Sequence, residues 1–164
     1  MNKTITITLL IVVALLGVMF LGQRNTATSP AQAQLNAQST LTASETVFDF
    51  GTISMKNGNV SHTFAVTNPT AQDLTVEDLT TSCMCTAAYI VNGTDKQGPF
   101  GMPGMGYVPK ANMVIKAGET RQIDVVYDPN AHGPAGVGSI DRFVYLASKT
   151  GGTLQLEIKA VVTP

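Results

Sequence analysis

The sequence predicts an all-β domain, an antiparallel β-sandwich of seven or eight strands, behind one N-terminal transmembrane or signal helix. Two observations predict the sandwich: apolar and polar residues alternate over several short stretches, and turn signals containing Gly, Pro or Asn separate those stretches. A third observation predicts the helix, because the chain begins with an uncharged apolar run that is long enough to cross a bilayer. After that run, we find no stretch with a helical period.

The apolar run covers residues 5–22, with Lys3 before it and Arg24 after it. At about 1.5 Å per residue, a helix of this length spans roughly 27 Å, close to the thickness of the bilayer core. The run is longer than the apolar part of an ordinary signal peptide, and the small-x-small sequence Ala31-Gln32-Ala33 lies well beyond it. We therefore expect residues 1–22 to be an uncleaved signal anchor that holds the protein outside the cytoplasm, which is the periplasm if the cell is Gram-negative. A cleaved signal peptide, which would release a soluble secreted or periplasmic protein, is the alternative.

The next segment, residues 23–44, has one charge, no aromatic residue and many Ala, Gln, Ser and Thr residues. Such a segment buries too little apolar area to offset its chain entropy, so we expect a flexible linker. The folded domain is then residues 45–164, which is the length of one domain. Because Lys3 and Arg24 precede it, this domain holds 8 of the 10 Lys and Arg residues against all 11 Asp and Glu. It has no basic cluster, which argues against nucleic acid as a partner.

Three stretches of the domain carry the clearest alternation, with apolar residues on one face only. They are residues 60–67, 120–127 and 153–162, and weaker stretches lie near 46–50, 73–79, 86–91, 113–116 and 140–147. Turn signals between them include Asn57-Gly58, Asn92-Gly93 and Gly151-Gly152. Seven or eight short strands in a domain of this length are typical of an antiparallel sandwich of immunoglobulin type.

Five motifs are distributed along residues 45–162. They are Phe48-Asp49-Phe50-Gly51-Thr52-Ile53, Thr63-Phe64-Ala65-Val66-Thr67-Asn68, Leu74-Thr75-Val76, Thr81-Ser82-Cys83-Met84-Cys85-Thr86, and Ala117-Gly118-Glu119 leading into Ile123-Asp124-Val125. Together they resemble the bacterial family known as domain of unknown function 1573, an immunoglobulin-like sandwich. Met84 and Ala117 stand where that family more often has Gly and Pro. The resemblance implies the fold and transfers no catalytic residue.

Both cysteines of the chain lie in the fourth motif, as Cys83 and Cys85. In a strand their side chains would point to the same face, which suits a soft metal, a disulfide or simple core packing. Same-face Cα atoms of a strand lie about 6.6–6.8 Å apart, at the outer edge of what a disulfide tolerates, so a bridge needs a bend. The change of apolar parity near Glu77-Asp78 predicts a β-bulge there.

Two long loops contain further soft ligands. Residues 92–112 include Met102 and Met105, and residues 128–139 include His132. Thiolates and thioethers select Cu(I), with imidazole as a suitable additional ligand. We therefore predict that the domain is a binding module for a soft metal such as Cu(I), with no other cofactor. The predicted metal ligands are Cys83, Cys85, Met102, Met105 and His132.

Two alternatives stay open at this point. In the first, the cysteines are structural and the domain is a protein-interaction or envelope-scaffolding module with an envelope protein as its partner. In the second, the protein is a thiol–disulfide redox protein. We find no motif of a hydrolase, a metalloprotease or a nucleotide-binding enzyme, so we predict no enzyme and no catalytic residues. Arg142, which follows Asp141, is interpreted as a surface charge on a strand.

Overall fold

The computed structural model describes residues 39–164, which form an all-β structure of eleven strands. The strands are β1 (Thr42–Ala43), β2 (Val47–Ser54), β3 (Val60–Thr67), β4 (Leu74–Val76), β5 (Asp78–Thr81), β6 (Thr86–Asn92), β7 (Asp95–Phe100), β8 (Met113–Ile115), β9 (Thr120–Tyr127), β10 (Gly138–Ser148) and β11 (Gly152–Thr163). Two short 3-10 helices, Met55–Asn57 and Gly133–Gly136, lie between strands. Within residues 39–164, no helix has the length and apolar character needed to cross a membrane. The predicted anchor and most of the predicted linker lie outside the described residues.

Two large sheets build the β-sandwich. The first has the strand order β1-β3-β9-β6-β7, the second has the order β2-β11-β10-β5, and β4 and β8 form a separate pair. Strand pairs are antiparallel except β2 with β11, which are parallel. Successive side chains of a strand point to opposite faces, so each long strand contributes every second residue to the core. Among these buried residues are Ile123, Val125 and Tyr127 of β9 and Leu154, Leu156 and Ile158 of β11.

The predicted all-β sandwich is confirmed, and the three stretches with clear alternation form β3, β9 and β11. The predicted number of seven or eight strands is wrong, because the structure has eleven. One additional strand is β7, an edge strand in a segment that we predicted to be a loop. All its residues except Phe100 are exposed, so no alternation of apolar and polar residues reveals it in the sequence.

The chain passes from one sheet to another at Glu77. Strand β4 pairs with β8, whereas β5, which begins at the next residue, pairs with β10. The backbone of Glu77 stays hydrogen-bonded, because its N–H donates to Ala147 O at 2.9 Å and its carbonyl accepts from Ala111 N at 2.9 Å. The change of apolar parity therefore reflects this change of sheet, and the predicted β-bulge at Glu77-Asp78 is corrected.

The Gly- and Pro-rich segment 101–112 covers the edge of β5. Thr81 N donates to Gly101 O at 3.1 Å, and Lys110 Nζ lies 2.6 Å from Asp78 Oδ1 at the other end of the strand. An edge strand presents unpaired backbone groups that can pair with another chain, and a covering segment prevents this. The same contacts place the start of the segment beside the strand that leads into Cys83.

The folded part begins before residue 45. Leu41 is only 2% exposed, and β1 pairs with β3 through Thr42 and Thr67. Thr40 N also donates to Gly151 O at 2.8 Å. Residues 40–44, which we assigned to the linker, therefore belong to the sandwich.

We expect Leu41→Ala to lower the free energy of unfolding by about 2–5 kcal/mol, because it leaves a cavity in a packed core. The matched control is Val47→Ala, which shortens a residue that is 47% exposed and should cost less than about 1 kcal/mol. Urea unfolding of the full-length chain in detergent, followed by circular dichroism, measures both values. Equal effects of the two substitutions would contradict a core position for Leu41.

Candidate functional site

Cys83 and Cys85 lie in the turn between β5 and β6 and are joined by a disulfide bond. Thr86 N donates to Cys83 O at 3.1 Å and closes this turn. The turn brings the two cysteine Cα atoms to 5.2 Å, within the range that disulfides require. The expectation that the cysteines lie side by side in a strand is therefore corrected. The turn supplies the bend that a bridge between residues two positions apart needs.

Backbone hydrogen bonds fix the cysteine turn to both sheets. Ser82 N donates to Phe143 O at 2.9 Å, and Phe143 N donates to Ser82 Oγ at 2.9 Å, which connects the turn to β10. Asp128 N donates to Cys85 O at 2.8 Å, which connects it to the end of β9. Because β9 and β10 belong to different sheets, the two sulfur atoms have a defined position relative to both.

A nitrogen-bearing side chain contacts each sulfur atom. His132 Nε2 lies 3.3 Å from Cys83 Sγ, and Arg142 Nε donates to Cys85 Sγ at 3.2 Å. The two sulfur atoms and the His132 ring nitrogen all lie within 4.8 Å of one another. His132 is exposed and Cys83 is half-buried, whereas Cys85 is 2% exposed. The structure thus brings together three of the five predicted ligands.

The other two predicted ligands, Met102 and Met105, lie in the segment 101–112. Met102 is half-buried and follows Gly101, whose carbonyl is bonded to the N–H of Thr81. Met105 is 59% exposed, and Met84, between the two cysteines, is 52% exposed. The role of Met102 and Met105 as metal ligands stays a prediction.

Arg142 is not the surface charge that we predicted. The residue is half-buried, and its guanidinium contacts the buried sulfur of Cys85. In β10 it shares the parity of Ile140 and Val144, both of which are buried. An arginine on the core-facing register was the signal that could have identified it, because a charge on that face needs a polar partner.

A cleft of about 300 Å³ opens beside these side chains. His132 and Arg142 both line it, and the 3-10 helix Gly133–Gly136 contributes to its wall. A larger cleft of about 670 Å³ is lined by Asp78, Lys110 and the connection from β10 to β11, at the opposite end of β5 from the cysteine turn. We place the candidate site at the smaller cleft, because its lining includes His132 and Arg142, the two side chains that contact the cysteine sulfur atoms.

The bridge between Cys83 and Cys85 contributes little to stability through chain closure. It joins residues two positions apart and closes a loop of three residues. For such a loop, the chain-entropy relation gives about 1.5 kcal/mol, compared with about 3 kcal/mol for a loop of 15 residues. Loop closure therefore gives this bridge only a small stabilising effect.

We expect reduction of the bridge to lower the free energy of unfolding by no more than about 2 kcal/mol and to leave the sandwich folded. Denaturation of the full-length chain with and without a phosphine reductant measures the difference. The double variant Cys83→Ser, Cys85→Ser has no bridge to reduce and controls for other effects of the reductant. A loss above about 4 kcal/mol would identify the bridge as mainly structural.

Tyr127 lies next to the site, where it pairs with Thr86 at the start of β6. Its side chain is 1% exposed, and this burial raises the pKa of the phenol above its ordinary value. The Arg142 guanidinium lowers the pKa and the Asp128 carboxylate raises it, but burial has the largest effect. The folded protein therefore favours the neutral phenol.

This shift predicts a loss of stability in alkali. Below pH 10, the approximate pKa of the phenol in the unfolded chain, Tyr127 is neutral in both the folded and the unfolded state. Its contribution to the free energy of unfolding is then fully present. Above this pH the unfolded state loses its proton first, and the contribution falls until the folded pKa is passed. We expect the stability difference between the protein and Tyr127→Phe to be constant below about pH 10 and to shrink above it. Thermal unfolding from pH 8 to 12 measures this difference, and a pH-independent difference would contradict the prediction.

Comparison with known proteins finds a family match over part of the chain and no activity. Residues 41–101 match the family described as "Protein of unknown function (DUF1573)", which confirms the resemblance. No curated protein matches the chain.

Similar solved structures show the fold alone. One is a protein of unknown function from Porphyromonas gingivalis W83, with 16% identity and a TM-score of 0.55, covering 76% of this chain and 48% of that chain. Another is a family 123 glycoside hydrolase from Clostridium perfringens, with 6% identity and a TM-score of 0.50, covering 71% of this chain and 22% of that chain. This chain thus spans about half of the first protein and under a quarter of the second. These similarities indicate no enzyme family.

Proposed function

We propose that this protein, whose residues 41–101 belong to the DUF1573 family, is an extracytoplasmic, membrane-tethered module that binds Cu(I) when its two thiols are reduced. The ligands are Cys83, Cys85 and His132. One observation carries the proposal: His132 Nε2 lies 3.3 Å from Cys83 Sγ, and the three donor atoms lie within 4.8 Å of one another. An immunoglobulin-like sandwich behind an N-terminal membrane helix is the architecture that we propose for the whole chain.

The disulfide is the oxidised, metal-free state of this site. A metal binds the thiolate form of cysteine, so the bridged sulfur atoms are not available to it. Reduction adds two electrons and two protons and yields two thiols, and metal binding then releases the protons. Two thiolates and one imidazole form a soft donor set, which favours Cu(I) over harder ions.

Arg142 supports the charged state of such a site. Two thiolates and Cu(I) together carry one negative charge, and Cys85 lies in the interior, where an uncompensated charge is costly. The guanidinium Nε is 3.2 Å from Cys85 Sγ and provides a positive charge that does not depend on pH. This contact therefore stabilises the loaded site.

The segment 101–112 is the proposed place for exchange with a partner. It starts beside the cysteine turn, and its methionines offer additional soft ligands. Met105 is 59% exposed and Tyr107 is 92% exposed, and such residues are enriched at protein interfaces. An envelope protein that delivers or receives the metal would contact the segment 101–112, with Met102 and Met105 as transient ligands.

The proposal predicts one equivalent of Cu(I) bound to the reduced full-length chain. Anaerobic titration against a chromogenic Cu(I) chelator measures the affinity. The double variant Cys83→Ser, Cys85→Ser should lose the site, and the untreated disulfide form should compete only weakly. His132→Ala should weaken binding about tenfold or more, because it removes one of three ligands.

The matched control is His62→Ala, because His62 is the other histidine of the chain and is bonded to Glu45 Oε1 at 2.7 Å, away from the cysteine turn. It should leave the affinity for Cu(I) unchanged. Retained binding in the double cysteine variant, or no competition by the reduced chain, would overturn the metal proposal. The protein-interaction module, with Met105 and Tyr107 as its contact residues, and the thiol–disulfide redox protein would then remain as hypotheses.

A further inference from the structure

We propose that the disulfide is opened by thiol–disulfide exchange with a fixed direction: an incoming thiolate attacks Cys83 Sγ, and Cys85 leaves as a thiolate beside Arg142. This activity goes beyond metal binding and does not depend on it. It also controls the proposed metal site, because the two cysteine thiolates are available to a metal only after the exchange has opened the bridge. Three observations carry the proposal: the unequal burial of the two cysteines, the position of His132 and the contact of Arg142.

The two cysteines differ in accessibility. Cys83 is half-buried, whereas Cys85 is 2% exposed and lies in the hydrophobic core. Exchange requires that the attacking thiolate reach one sulfur atom of the bridge, so access decides which sulfur is attacked. The greater exposure of the Cys83 residue as a whole therefore favours attack there.

The cleft lined by His132 and Arg142 lies beside the two side chains that contact the bridge. His132 Nε2 is 3.3 Å from Cys83 Sγ, and Arg142 Nε is 3.2 Å from Cys85 Sγ. A thiolate approaches along the extension of the S–S bond, on the side opposite Cys85 Sγ. We expect a thiol-bearing molecule to approach the bridge from this cleft.

Arg142 makes Cys85 the better leaving group. A sulfur that leaves as a thiolate gains a full negative charge, and the guanidinium Nε already donates to Cys85 Sγ at 3.2 Å. Stabilisation of the leaving thiolate accelerates exchange. Cys83 Sγ instead has the His132 ring beside it, which carries no permanent charge.

The reaction balances with two thiols as the reductant. The first thiol loses its proton to solvent, and its sulfur bonds to Cys83 while the Cys83–Cys85 bond breaks and its electron pair goes to Cys85. A second thiolate then attacks the outer sulfur of the mixed disulfide and releases Cys83 as a thiolate. The two thiols are oxidised to one external disulfide, and the protein is reduced by two electrons.

Trapping of the mixed disulfide tests the direction. The oxidised full-length chain is mixed with glutathione in the absence of metal and quenched with N-ethylmaleimide, which alkylates the freed thiol and prevents re-closure. Peptide mapping by mass spectrometry without reduction then locates both groups. We expect glutathione on Cys83 and the maleimide on Cys85. The reverse pattern, or equal amounts of both patterns, would overturn the proposal.

The rate of bridge opening provides a second, independent test. Arg142→Gln should slow the opening by excess glutathione about tenfold, and Arg142→Lys should restore most of the rate because it keeps the positive charge. Arg121→Gln is the matched control, since Arg121 lies at the opposite end of β9 from the site and should leave the rate unchanged. An unchanged rate in Arg142→Gln would overturn the role of Arg142. Because no metal is present, these results are independent of the Cu(I) titration, and either proposal can fail alone.

Discussion

When two sheets pack against each other, each long strand must point every second side chain into the space between them. The rest of the structure depends on this constraint. It creates the core, in which Ile123 and Leu156 are fully buried. The same alternation also turns Arg142 inward, on the register of Ile140 and Val144. At this position the core-facing side chain of Arg142 lies against the cysteine turn, where its guanidinium donates a hydrogen bond to Cys85 Sγ. The alternation of side chains therefore positions both the core residues and Arg142.

The site combines three segments that the sandwich holds at one end. The cysteine turn follows β5, the segment with His132 follows β9, and Arg142 belongs to β10. A rigid framework with functional groups on its connections is a common arrangement in sandwiches, because loops tolerate change while strands fix their ends. Here the framework contacts the site directly, because the backbone N–H groups of Phe143 and Asp128 donate hydrogen bonds to residues of the cysteine turn.

The two proposals describe opposite sides of one equilibrium. The bridge removes the thiolates that a metal needs, and a bound metal would occupy the thiolates that a bridge needs, so each state excludes the other. Free energy from metal binding would therefore favour the reduced protein, by linkage. Because the bridge closes so short a loop, the sandwich has little reason to unfold when the state changes.

Features that depend on neighbouring residues could be predicted from the sequence. Alternation predicted β3, β9 and β11, and the five motifs gave the resemblance that the match over residues 41–101 supports. The short spacing of Cys83 and Cys85 drew attention to that pair. These features are readable because the inward and outward faces of a strand repeat every two residues.

The remaining features depend on contacts between residues that are far apart in the sequence. Strand β7 is held by its pairing with β6 and has no alternation of its own, and the parity change at Glu77 became interpretable once β4 and β5 were seen to belong to different sheets. The distinction between a half-buried Cys83 and a buried Cys85 is likewise tertiary. His132 is 49 positions from Cys83, and Arg142 is 57 positions from Cys85. Contacts over such separations depend on which strands pair and in what register, and this is a property of the whole chain that local periodicity does not encode.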